Sequence, residues 1–215
     1  MGKGAMDTRT KALKIIEVLK KEYPQARTAL HFTTPLEILV ATILSAQCTD
    51  VRVNIVTAKL FKKYRSARAF AAADIRSFEK EIYSTGFYKN KAKNIIAAAR
   101  MIVEHFSGRV PDTMAGLLEL PGVARKTANV VLQNAYGKVE GIVVDTHVRR
   151  LAQRLGLTKR DDPARIEEDL MKAIPAKEWE TISYLFIDHG RAVCRSQRPD
   201  HAACALYELC PSRSI

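Results

Sequence analysis

Residues Asp112–Gly137 read DTMAGLLELPGVARKTANVVLQNAYG. A short apolar stretch ends at Leu120, Pro121 and Gly122 force a tight reversal, and a second helical stretch runs from near Ala124 to Gly137. The segment reads as a helix-hairpin-helix, with Asp112 capping a first helix that runs to about Leu120. The second helix opens with backbone N–H groups that the small Gly122 leaves exposed, and the helix dipole adds to their attraction for an anion. Such a contact holds a phosphate backbone without reading bases. Taken alone, a Leu-Pro-Gly turn also suits an ordinary junction between two helices.

Outward from this hairpin the apolar spacing is helical almost everywhere. Leu13, Ile16 and Leu19 mark a first helix. Ile38, Thr42 and Ser45 lie opposite a Leu39, Ile43 stripe, so a second helix is buried on most sides. Asp50 is placed to cap a third, with Val51, Ile55 and Ala58 spaced for one face. Ile95, Ala99, Ile102 and Phe106 share a stripe, and Gly108 stops that helix. Asp162 and Pro163 start another along Ile166, Leu170 and Ile174, which Pro175 ends. Trp179, Ile182, Leu185 and Phe186 mark one more. Only Gly141–Val144 has strand-like residues, too few and too isolated to build a sheet. The expected class is all-α, with about ten helices joined by short Gly/Pro turns.

The chain has 215 residues, room for one generous domain or two small ones, and 47% of them are hydrophobic, which excludes a disordered chain. Lys and Arg number 35 against 23 Asp and Glu, a net charge of +12 that points to nucleic acid first and an acidic membrane surface second. No stretch approaches the ~18 uncharged apolar residues of a membrane-spanning helix. The first twenty residues carry scattered Lys and Arg without an apolar block, so no export signal is read, and Met1–Met6 looks like a start or cloning remnant. Without export, four cysteines, three of them in the last 22 residues, suit a metal or cluster site better than disulfides.

Three groups carry chemistry. Lys126 sits in the first turn of the second hairpin helix, where the dipole disfavours a cation and favours the neutral amine that can attack a carbon and form an imine. A solvated lysine or one more phosphate contact fits the same position. Asp145 reads as the N-cap of a helix running to about Leu155. A carboxylate fixed there would stabilise a developing sugar cation or move protons. Cys194, His201, Cys204 and Cys210 make a plausible four-ligand set. Arg195 and Arg198 lie inside the Cys194–His201 loop, with Arg191 before it, so a bound cofactor would present guanidinium groups to phosphate.

Together these features resemble the endonuclease III family of helix-hairpin-helix DNA glycosylases, over about Ala12 to Cys210. The resemblance lies in LSAQCTD at 44–50, TGFY at 85–88 followed by Lys91-Ala92, the hairpin at 120–131, VDTH at 144–147, and His189-Gly190-Arg191 ahead of the cysteines. It implies two helical domains flanking a DNA-binding cleft: a six-helix barrel at 28–140 containing the hairpin, and residues 1–27 with 141–215 holding a [4Fe–4S] cluster. Lys126 and Asp145 would then stand on opposite walls of that cleft. The implied activity is removal of an oxidised pyrimidine flipped from double-stranded DNA, followed by strand cleavage at the abasic site. Lys126 would attack C1′, expel the base and form a Schiff base, Asp145 would assist, and β-elimination would nick the strand. Gln47 would fill the gap left by the base and Phe87 would wedge the opposite strand, although core packing also suits a phenylalanine. Leu120, Gly122, Ala124, Arg125, His147, Arg191, Arg195 and Arg198 complete the implied DNA contacts. The partner is damaged or abasic DNA, with no membrane, and the chain is expected as a DNA-associated cytoplasmic monomer.

Two residues depart from the family pattern. Ala124 replaces a second hairpin glycine but still offers its N–H. His201 stands where the family's second cluster cysteine belongs. A [4Fe–4S] cluster with one His ligand is the first expectation; zinc, a cluster with a labile iron, or a native cysteine replaced by His are the alternatives. Two other functions stay open. A monofunctional mismatch glycosylase needs no amine at Lys126. A non-catalytic, metal-stabilised DNA-binding module would use the hairpin for phosphate alone.

Overall fold

In this computed structural model residues 6–213 are described, and most of the Met1–Met6 segment lies outside them. Eleven α-helices and three short 3-10 turns account for the regular structure, and no strand occurs among the described residues. The all-α expectation therefore holds. Residues 141–144 form no strand, and Ile142, Val143 and Val144 are buried.

The chain falls into two compact units. One spans Ala29–Glu140 and contains α2 (Pro35–Ser45), α3 (Asp50–Lys63), α4 (Ala67–Ala71), α5 (Ile75–Ile82), α6 (Tyr88–His105), α7 (Met114–Leu118) and α8 (Arg125–Tyr136). Its core joins α2 to the other helices. Every side chain from Ile38 to Leu44 is buried, as the two opposed stripes of that segment require. Tyr64, Phe70 and Phe78 pack ring against ring, with centroids 5.1 to 5.9 Å apart.

The second unit joins residues up to Thr28 with those from Gly141. It holds α1 (Thr8–Glu22), α9 (Thr146–Arg154), α10 (Pro163–Ala173) and α11 (Trp179–Ala192) around Ile15, Leu19, Leu151, Leu170, Ile182 and Phe186. Asp162 caps α10 and Pro163 opens it, as expected. Beyond α11 the chain has little helix, and Leu206 is the one fully buried apolar side chain described in the stretch 193–213.

Several local expectations need correction. The first hairpin helix is capped by Thr113, whose hydroxyl accepts from the Gly116 N–H. Asp112 instead pairs with Lys138 at 2.6 Å, and the hydrogen bond from that ammonium, with its charge, lowers the Asp112 pKa. Thr49, not Asp50, caps α3. The inward face of α3 is Val53, Val56 and Leu60, leaving Val51 and Ile55 71% and 51% exposed. In α1 the buried stripe is Ala12, Ile15, Ile16 and Leu19, while Leu13 is exposed. Each misplaced stripe has helical spacing; packing partners decide which of two such stripes turns inward.

Candidate active site

The hairpin turn closes through the Leu120 carbonyl, which accepts from the Val123 N–H at 3.1 Å. Gly122 sits inside that turn at φ +79°, and a Cβ there would approach Asn94 to 2.8 Å, so both backbone and space require glycine. The Leu120 side chain is buried at 2% exposure, so among the expected DNA contacts it offers backbone only. Ala124 is the N-cap of α8 and supplies no side-chain cap. An N-terminus without a capping side-chain oxygen is the kind that suits an anion. Lys126 lies in the first turn of α8, exposed and without hydrogen bond or ion pair among the described residues.

Asp145 caps α9. A single oxygen, Oδ1, accepts from the N–H groups of His147 at 2.8 Å and Val148 at 2.9 Å. The carboxylate is thereby fixed in orientation while Oδ2 stays available. His147 follows, and its Nδ1 accepts from the Arg150 guanidinium at 3.1 Å, which leaves Nε2 to carry the proton. Burial pushes the pKa of His147 down, against the opposing pull of Asp145. Arg150 also donates to the Gly190 carbonyl at 3.0 Å and the Cys194 carbonyl at 3.1 Å. A side chain at position 190 would meet His147 Nδ1 at 2.8 Å, so the glycine is what lets α9 and α11 close.

Cys194, His201, Cys204 and Cys210 line one cavity, together with Arg154 and Tyr207. Among the described residues, no three His, Cys, Asp or Glu side chains converge as tightly as a single metal ion requires. Arg154 donates to Cys194 Sγ at 3.3 Å and to the carbonyls of Arg195 and Ser196, bracing the loop. His189 lies buried with its Nε2 3.6 Å from Cys204 Sγ and its Nδ1 3.1 Å from the Tyr23 hydroxyl. Burial lowers the His189 pKa to about 4, so the ring is neutral at pH 7. Burial, with Cys194 and Cys210 nearby, raises the Cys204 thiol.

Gln47 and Phe87 are exposed, at φ +52° and +48°. Phe87 is 64% exposed, which removes core packing as its role. Arg198, at φ +51°, shares this left-handed conformation; the fourth non-glycine residue in it among those described is Ser107. Such residues cost roughly 1–2 kcal/mol each and gather at functional sites. Arg191 and Arg195 are exposed, and Arg195 folds back on the Ala192 carbonyl. Sequence reasoning missed Arg150 and Arg154, whose carbonyl partners lie 40 or more residues away.

Residues 40–176 match the model for the HhH-GPD superfamily of base excision DNA repair proteins. The chain is 58% identical to endonuclease III of Synechocystis sp. over 94% of its own length and 92% of the relative's. Two solved structures, a non-covalent endonuclease III–DNA complex and a trapped endonuclease III–DNA covalent intermediate, superpose with a TM-score of 0.92 at 41% identity. Each comparison covers 97% of this chain, with 97% and 98% of the respective neighbours. The chain belongs to the endonuclease III family, within the HhH-GPD superfamily of base excision DNA repair proteins.

Proposed function

We propose that the chain is a bifunctional DNA glycosylase and abasic-site lyase of base excision repair, acting on oxidised pyrimidines in double-stranded DNA, with Lys126 as nucleophile. The observation that carries this reading is an exposed lysine with no hydrogen bond or ion pair among the described residues, on a first turn without a side-chain cap in the helix-hairpin-helix. A hydrolytic glycosylase needs no amine there, and the likeness to a trapped endonuclease III–DNA covalent intermediate supports a nucleophile over a passive phosphate contact.

The Lys126 Nζ lone pair forms a bond to the sugar C1′ as the C1′–N bond to the base breaks and the base departs with a proton. Loss of the amine proton and opening of the sugar ring give the protonated imine. Removal of a C2′ proton then expels the 3′ phosphate, and hydrolysis of the imine frees the lysine. Asp145, held by two N–H groups through Oδ1, keeps Oδ2 to stabilise the developing sugar cation and to move protons. Gln47 and Phe87 occupy the gap and wedge the opposite strand. The N–H groups near Gly122 and Ala124, with Arg125, His147, Arg191, Arg195 and Arg198, hold the backbone.

Cys194, His201, Cys204 and Cys210 fit a [4Fe–4S] cluster: three thiols and one imidazole surround a shared cavity, and Arg154 and His189 stand beside two of the sulfurs. The cluster would tie down the loop bearing Arg195 and Arg198. Donors spread around a cavity suit a polynuclear cluster better than one zinc ion. No described helix is long and apolar enough to cross a membrane, and we place the protein on DNA in the cytoplasm.

The test is single-turnover reaction with a duplex containing thymine glycol. Base release accompanied by strand cleavage is expected. Base release with the strand left intact would contradict the lyase, and binding without either would contradict the enzyme.

A further inference from the structure

Lys91, on α6, is buried at 4% exposure, unusual for a lysine with no carboxylate partner among the described residues. Its ammonium donates to the Leu44 carbonyl at 2.7 Å and to the Thr85 carbonyl at 2.8 Å. Leu44 lies in the last turn of α2, which has no basic residue of its own there. Its carbonyl sits at the negative end of that helix. Thr85 ends the 3-10 turn Tyr83–Thr85. Gln47 comes three residues after Leu44, and Phe87 two after Thr85, both exposed and both in left-handed conformations. Two chain segments distant in sequence therefore meet on one buried cation, and each carries a strained, outward-facing residue just beyond the point of attachment.

We infer that Lys91 is a positioning residue that holds the Gln47 and Phe87 loops in register with each other. The neighbouring bonds at these loops, from the Cys48 N–H to the Ser45 carbonyl at 3.0 Å and from the Thr85 hydroxyl to the Ile82 carbonyl at 2.8 Å, join neutral groups within a few residues. Ala46, which ends α2, has no cap hydrogen bond, and Phe87 starts α6 without a side-chain cap. A charged donor serving two buried carbonyls gives stronger, shorter hydrogen bonds than a neutral one. Burial pushes the Lys91 pKa down, and the half-buried Cys48 packs against the same core. Shifting one attachment by an ångström would move both loop tips relative to the duplex they enter.

This inference rests on the reading that Gln47 and Phe87 act on duplex DNA, and the experiment separates the two. Single-turnover excision from a thymine-glycol duplex is compared with strand cleavage at an abasic site in single-stranded DNA. The single strand has no base to extrude and no opposite strand to wedge. Lys91→Met is expected to slow duplex excision by about 10- to 100-fold and single-strand cleavage by less than about threefold. Lys91→Arg, which keeps the charge and the donors, is expected to recover part of the duplex rate, and it carries the same comparison should Lys91→Met not fold. Added to a Gln47→Ala, Phe87→Ala double variant, Lys91→Met should cost little more. Normal duplex excision, or equal loss on both substrates in folded protein, would overturn the positioning role. Normal duplex excision by the Gln47→Ala, Phe87→Ala variant itself would overturn the reading of the loops and the clamp with it.

Discussion

The 46–48 and 85–87 loops and the 193–213 segment both present residues in left-handed conformations, but they are held in different ways. The first two sit on a close-packed core and share a buried lysine that belongs to the protein itself. The 193–213 segment has one buried apolar anchor, Leu206, and relies on Arg150 and Arg154 gripping its carbonyls beside a thiol-lined cavity. A segment with few buried apolar contacts opens locally at small cost unless something binds it. Order is thus built in at one place and, on the proposed reading of the four ligands, would depend on a cofactor at the other.

Loss of the proposed cluster should break this comparison most visibly. Chelation or oxidative loss of the cluster is expected to speed tryptic cleavage at Arg195 and Arg198 by at least about tenfold, since local opening falls by about 1.4 kcal/mol per tenfold. Residues 29–140 should stay protected, as limited proteolysis with mass mapping would show. Equal loss of protection in both units would contradict the division.

Gly122→Ala comes next. It forces an alanine to φ +79° and drives its Cβ to 2.8 Å from Asn94. A loss of about 1–3 kcal/mol is expected in urea unfolding, together with weaker binding to undamaged duplex. His201→Cys is a gentler change. It should keep the cluster and, by adding one thiolate charge, lower its reduction potential, measured by voltammetry on DNA-free protein. If colour and potential are both unchanged, His201 is not a ligand.

The smallest effect belongs to Asp112→Asn. The Lys138 pair lowers the Asp112 pKa in the folded chain, so its contribution is present above the unfolded carboxylate value and lost as pH falls through the folded one. The pair is exposed, so thermal melts at pH 7 and pH 3 should differ little between variant and parent, and not at all in high salt.

Much of the candidate site is legible in the sequence because its signals are local. A Pro-Gly reversal, an aspartate ahead of Thr-His, and cysteines close in sequence each declare themselves within a few residues. The helix stripes of α1 and α3 were partly misread because Leu13 and Val51, Ile55 fit helical spacing as well as the true inner faces do. Only the packing partners break that tie. Lys91, Arg150 and Arg154 act on carbonyls, and a carbonyl leaves no mark in a sequence. Their partners lie between 6 and 47 residues away, beyond the reach of any spacing rule.

The central claim is that the Lys126 amine becomes bonded to the sugar. Borohydride reduction during turnover on an abasic or thymine-glycol duplex tests it directly, with the adduct digested and mapped by mass spectrometry. One reduced adduct is expected on the peptide carrying Lys126, with its loss in Lys126→Ala and a fall in activity of at least about a thousandfold in that variant. No adduct with the parent chain, or an adduct that persists in Lys126→Ala, would contradict it.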